Sequence, residues 1–277
     1  MAGQNPAKAR MFRLGIRRPP VYPCAPDWPP RQEFSRLTSP TPPSVAPARP
    51  DGGRPVRFTR ADLERGPRNP LHEGRWANAV VYTFDFDGER WVVKDFRPRS
   101  FAVRNLIGRL LVRRESTGLA KLADVRGVPG DAFRVDAHAL AYRFVPGRGL
   151  RKYPDRLSPE FFPALERTVL EMHSRGGIVH LDMRNADNVL VTESGEPQLL
   201  DFHSHLGTRW LPGPLRRFVE RIDLAAIYKH WAKRSPATMG ADRAAALASM
   251  NRLRPIWVLR GYIGSEKPRK KKPGPRP

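Results

Sequence analysis

The sequence predicts an α+β protein, with strands and one long helix in its first folded part and mainly helices in its second. Three observations carry this. β-Branched and aromatic residues fill 79–86 and 89–96 on either side of an Asp-Gly pair. Apolar residues recur at helical spacing over 103–122 and again over 158–177. Two short apolar runs, VLV and QLL, then flank a Ser-Gly turn.

Asp87-Gly88 suits a two-residue turn with positive φ at both positions, so 79–96 reads as a hairpin. Alternation puts Trp91 and Val93 on one face and Val92 and Lys94 on the other. A lysine that shares a face with valine either snorkels to water or meets an anion. Helix 103–122 carries a stripe of Ile107, Leu111, Leu119 and Leu122, and Glu115 falls on it. A carboxylate on a buried face needs a cation, because leaving it unpaired costs several kcal/mol. Lys94 is one candidate; pairing at the helix edge with Arg114 or Lys121 is the other.

Segments 132–136 and 138–144 read as two more strands, and VPGRG (145–149) as a connector. In helix 158–177, Ser158 is the expected cap, Pro159 the first helical position, and Gly176-Gly177 the stop. Phe161, Leu165, Val169 and Met172 form its buried stripe. VLV and QLL then pair as a small hairpin, which brings Asp182 and Asn188 to the same end as Asp201. Two acids and an amide so gathered suit a hard cation such as Mg²⁺, which takes few protein oxygens and completes its shell with water and phosphate. Each alone reads equally as a turn former or cap.

The 277 residues include 50 Lys+Arg against 27 Asp+Glu, a net charge of +23, which reads either as solvated, soluble ends or as attraction to polyanions. A hydrophobic share of 40% excludes full disorder. One cysteine, Cys24, excludes a disulfide framework and a cysteine zinc site and fits a reducing compartment. No histidines stand at a zinc-ligand spacing, no apolar run approaches the ~20 residues that span a bilayer, and the first residues lack the apolar core of a secretory signal. Residues 1–55 hold thirteen of the 30 prolines and read as an extended Pro/Arg-rich arm. Residues 267–277 carry six cations and no anion and read as a basic tail. Residues 56–266 are the expected folded domain. The ends suggest attraction to an anionic surface, while nothing indicates specific nucleic-acid recognition.

At this point the chain resembles the protein-kinase-like superfamily. The matching residues are Val92-Val93-Lys94, Glu115, His180-Leu181-Asp182 with Asn188, and Asp201-Phe202-His203, in the expected order over about residues 75–235. It is similar in particular to compact bacterial serine/threonine kinases near the RIO-type and lipopolysaccharide sugar kinases. The resemblance implies a bilobal fold: a small β-rich N-lobe with one long helix, about 56–144, and a mainly helical C-lobe, about 150–266. ATP would bind between them. Lys94, held by Glu115, would contact its phosphates; Asp182 would take or orient the hydroxyl proton; Arg184 would meet the γ-phosphate. Asn188 and Asp201 would hold Mg²⁺. Tyr142 and Val145 would flank adenine in a hinge spanning 142–147.

The sequence departs from that pattern in places. GRWANAVVY (74–82) has one glycine where a glycine-rich loop is usual. Asn188 stands six residues after Asp182, with Asp187 at the usual five; His203 replaces a glycine; and Asp223, in the next helix, follows Asp201 closely. The implied function is ATP-dependent transfer of phosphate to a hydroxyl, as a serine/threonine protein kinase. A lipopolysaccharide core sugar kinase and a nucleotide-binding pseudokinase are the alternatives. The expected location is cytoplasmic, peripheral at the inner membrane if the basic ends engage lipid.

Overall fold

The computed structural model describes residues 57–74 and 77–253. The arm 1–55 and the tail 267–277 lie outside the described residues.

The hairpin forms as its sequence dictates. Strands β2 (Val80–Phe86) and β3 (Glu89–Asp95) pair antiparallel with Phe86 opposite Glu89. Asp87 and Gly88 make the turn at φ 51° and 73°, the mirror-image geometry that matches strand twist. With β1 (Asn69–His72), β4 (Phe133–Arg134) and β5 (Ala139–Arg143) they build a five-stranded sheet in the order β1-β2-β3-β5-β4. Trp91 and Val93 enter its core on one face; Val92 and Lys94 leave β3 on the other.

A short helix that the sequence reading had not identified, α1 (Arg60–Arg65), closes that core. Thr59 caps it reciprocally with Asp62. Phe58, just before it, packs edge-on against Phe84 at 5.0 Å and Phe133 at 5.1 Å; such pairs add about 0.5–1.5 kcal/mol each beyond burial. Arg60 bridges Asp136 at 2.7 Å and the buried Asp95 at 2.5 Å, which pins α1 to the sheet.

The expected helix 103–122 is two pieces: a π-helical turn, Val103–Gly108, then α2 (Arg109–Lys121). The extra residue in the π turn shifts the phase of the helix. Ile107 is therefore exposed and Leu111 only half-buried, and Val112, Glu115, Gly118 and Leu119 form the buried face. Gly108 permits the close approach, since a Cβ there would meet Phe96 at 2.7 Å.

Helix α3 (Phe161–Glu171) begins later than the proline signal suggested. Ser158 offers its carbonyl to Phe161 N–H, and no side chain caps the helix. Its stripe is buried as expected, and Gly177 ends the following π turn, Met172–Gly176, at φ 60°. The connector after β5 contains one more strand, β6 (Gly147–Gly149), paired with β8 (Val189–Thr192), which pairs in turn with β9 (Pro197–Leu199). Two further short strands, β7 (Ile178–Val179) and β10 (Leu206–Gly207), bracket the segment that holds Asp182 and Asp201. Helices α4 (Gly213–Arg234) and α5 (Ala241–Leu253) complete the helical part. Phe162 stacks on Trp231 at 5.4 Å, and Glu166 ties Tyr228 to Arg243 across α3, α4 and α5.

Candidate functional site

Lys94 leaves the middle of β3 and meets Glu115 of α2 at 2.6 Å. Both are buried. Of the two readings open for Glu115, the pair with Lys94 is the one formed. The same ammonium donates to Asp201 Oδ1 at 2.7 Å. Burial works against the Lys94 charge; Glu115 and Asp201 outweigh it and raise the lysine pKa. Burial likewise raises Asp201, and the charges of Lys94 and His203 turn the balance the other way, holding it far below the usual carboxylate range. Glu115 also accepts the backbone N–H of Phe202 at 3.3 Å, so α2, β3 and the Asp201-Phe202-His203 segment share one carboxylate.

Asp201 has φ 67°, an uncommon backbone conformation for a residue other than glycine, asparagine or aspartate. His203, in place of a glycine, lies within 2.5 Å of Asp201 Oδ1 through Nδ1. The left-handed residue of the triplet is thus the aspartate, and the histidine side chain steadies it.

Asp182 and Asn188 are joined directly. Asn188 Nδ2 donates to Asp182 Oδ2 at 2.8 Å and to the Asp182 carbonyl at 3.1 Å. This orientation turns the Asn188 Oδ1 side toward Asn185 at 3.3 Å, a long contact that a cation can displace. Asp187 is on the surface and paired with Arg151 at 2.9 Å. Asn188, and not Asp187, therefore stands beside Asp182. The loop is tied to Asp201 through the chain: Leu200 N–H donates to Asn188 O, and His180 Nε2 donates to Leu200 O, both at 2.9 Å. Arg184 sits half-buried in the same loop.

A residue that the sequence reading passed over organises this loop. Asp223 of α4 is fully buried and accepts N–H bonds from His180 at 2.6 Å and Leu181 at 2.8 Å. His173 Nε2 approaches it at 3.2 Å. Leu181 sits at φ 67°, and the two bonds hold it there. The available signal was one acid in an otherwise apolar helical run, DLAAIY.

Beside Lys94, on the same sheet face, a cavity of about 250 Å³ is lined by Val81, Val92, Tyr142, Val145, Leu190 and Leu200. It is a mainly apolar slot with Arg143 and Gln198 also on its wall, a form suited to a flat heterocycle. Tyr142 and Val145 both line it, and burial pushes the Tyr142 hydroxyl up to about 12. The loop between β1 and β2 is fastened by Arg99, which donates to the carbonyls of Asn78 at 2.7 Å and of Glu73. Gly74, at φ 66°, lies so near Ala79 O that a Cβ would stand 2.4 Å from it.

Asp201 and Asn188 carry hard oxygen donors, Asp201 on the Lys94 ammonium and Asn188 beside Asp182. Among the described residues no cluster of three or more His, Cys, Asp or Glu side chains forms a metal cage. A cation here would share its shell between these side chains, water and the ligand's phosphates.

No family model matches the sequence, and no curated protein matches it. Among solved structures, the chain is similar to the Rio2 kinase–ADP/Mg²⁺–phosphoaspartate complex from Chaetomium thermophilum, at 14% identity and a TM-score of 0.49. That match covers 71% of this chain and 74% of the other. The Rio2 kinase from the same organism matches at 16% identity and a TM-score of 0.45, covering 66% and 71%. The architecture itself is α+β: a five-stranded antiparallel sheet with one packed helix, and a helical part that carries the Asp182 loop.

Proposed function

We propose that this protein is an ATP-dependent phosphotransferase that moves the γ-phosphate to a hydroxyl, and that the acceptor is a serine or threonine of a protein. The observation that supports it is the joining of Lys94 to Glu115 and Asp201, with Asp182 bonded to Asn188 and an apolar slot formed against Tyr142.

Phosphoryl transfer is mainly positioning and neutralisation of charge. The adenine occupies the slot between Val92 and Leu200, against Tyr142 and Val145. Lys94 turns from Asp201 to the phosphates while Glu115 keeps it in place. Asp182, its carboxylate plane fixed by Asn188, orients the acceptor hydroxyl and takes its proton. The acceptor oxygen forms its bond to phosphorus as the bond to the bridging oxygen breaks, and ADP departs. Arg184 neutralises charge on the moving phosphoryl group. Asp201 and Asn188 are the residues that would hold Mg²⁺, which would supply further neutralisation of phosphate charge.

One observation favours a second acceptor, a sugar hydroxyl of lipopolysaccharide. The segment 202–212 runs from Asp201 straight into α4 with only a short 3₁₀ turn and β10 between. It leaves little chain to build a groove for a peptide.

The test is labelled ATP offered with total cell protein and, separately, with purified lipopolysaccharide. Wild type is expected to transfer phosphate to protein, and Asp182→Ala to lose about 10²–10⁴-fold of that rate. Label on sugar alone replaces the protein acceptor with the sugar. Nucleotide binding without transfer in the wild type, or equal rates in wild type and Asp182→Ala, removes the reading.

A further inference from the structure

The segment leading into α2 exposes large apolar side chains on one surface. Phe101 is 74% exposed, Leu106 72%, Leu110 56% and Ile107 37%. They account for four of the eight large hydrophobic residues that the described surface exposes to this degree. Leu106 and Leu110 are one turn apart, and Phe101 and Ile107 lie within the same ten-residue stretch around the π turn. The surface is held firmly. Asn105 Nδ2 donates to Phe101 O at 3.0 Å, and His138 on the sheet side donates to Asn105 Oδ1 at 3.1 Å. Arg104 lies over the Phe101 ring at 5.7 Å.

The charge around this patch is of one sign. Residues 97–114 contain six arginines and no Asp or Glu. Arg97, Arg109 and Arg113 are exposed beside the apolar residues. Among the described residues Arg99 and Arg114 bond backbone carbonyls, which do not cancel their charges. An apolar stripe edged with arginine is what an anionic bilayer surface recognises: the side chains enter the acyl boundary and the guanidinium groups stay with the phosphates. A nucleic acid would use the arginines and leave four apolar side chains in water.

We infer that residues 97–114 form a docking face for an anionic lipid bilayer, on which the protein lies without crossing it. Among the described residues no helix is long and apolar enough to span a membrane. This face is separate from the attraction that the basic ends supply, and it does not rest on phosphoryl transfer.

The two contributions differ in salt dependence. Charge attraction alone fades as the Debye length falls to ~3 Å near 1 M salt, whereas buried apolar contact persists. The experiment is co-sedimentation of the full-length chain with vesicles of phosphatidylcholine alone or of equal parts phosphatidylcholine and phosphatidylglycerol, at low and high salt. Wild type is expected to bind the anionic vesicles at low salt, to prefer them over neutral ones, and to retain part of that binding at high salt. Leu106→Ser with Leu110→Ser is expected to weaken binding about tenfold or more and to abolish the salt-resistant part. Phe101→Ser, at the first residue of the helical segment and before the π turn and α2, is a second variant that keeps the test valid if the double change perturbs α2. Binding equal to wild type in both variants would overturn the inference and assign any vesicle binding to the ends. Equal binding of wild type to neutral and anionic vesicles, or none to either, would overturn it as well.

Discussion

Asp223→Ala is the most informative single change outside the transfer residues. The carboxylate is fully buried and takes two backbone N–H bonds, at 2.6 and 2.8 Å, with His173 at 3.2 Å. A hydrogen bond to a charged group contributes about 1.5–3 kcal/mol, and a buried donor left without a partner costs about 1–3 kcal/mol. Two backbone bonds therefore place the loss near ~4 kcal/mol, the longer His173 contact adding less. Leu181 also loses the bond that holds it at positive φ, a conformation that costs ~1–3 kcal/mol. At about 2–4 °C per kcal/mol for a domain of this size, the melting temperature should fall by roughly 8–16 °C. Asp223→Asn keeps the volume and one acceptor, so it should lose about half as much. Urea unfolding gives the energies. Transfer assays at low temperature, where the variants stay folded, should still show a lower rate because Asp182 follows Leu181 directly. A loss below ~1 kcal/mol for Asp223→Ala with unchanged transfer would refute the reasoning.

Three further outcomes are expected. Burial raises the Asp136 pKa, but the Arg60 guanidinium and the N–H groups of His138 and Ala139 outweigh it, so the folded pKa is lowered. Its stabilising effect is present above the unfolded value of about 3.9 and is lost as pH falls through the folded one. The stability gap between wild type and Asp136→Asn, followed by denaturation, should thus be full near neutrality and close on acidification below about pH 4; a gap that does not change with pH would contradict this. Gly118→Ala, which in an open helix gains about 1 kcal/mol, should instead destabilise by about 1–3 kcal/mol, because the new Cβ would meet the His205 ring at 2.9 Å; thermal melts decide the sign. Val92→Phe should fill the slot and weaken nucleotide binding about tenfold or more while leaving the fold intact, as read by calorimetric titration and circular dichroism.

The sequence was most legible where a local rule decides the structure. Asp87-Gly88 set the hairpin, and the period of two then separated Trp91 and Val93 from Val92 and Lys94. The order of Lys94, Glu115, Asp182, Asn188 and Asp201 was readable because each sits on an element with its own signal. The buried face of α2 was not, because a π turn adds a residue that periodicity cannot count. Ile107 and Leu111 were placed inward for that reason. Helix α1 and the Phe58 plug were invisible because their partners, Phe84, Phe133, Asp95 and Asp136, are distant in sequence. Asp223 was missed because its partners are backbone groups, and backbone donors leave no mark on a string of residue types. Choosing between Asp187 and Asn188 required seeing which side chain faced Asp182 and which faced Arg151.

One ammonium shared by two carboxylates has an electrostatic consequence. The molecule as a whole carries +23, so its distant field draws in a polyphosphate. Around that ammonium, the carboxylates Glu115 and Asp201 outnumber Lys94. On the proposed reading, a nucleotide that arrives bare would be attracted from afar and repelled on contact, whereas one that brings a divalent counter-charge would meet no such barrier. Such a site would favour the metal-complexed form before any phosphate is moved.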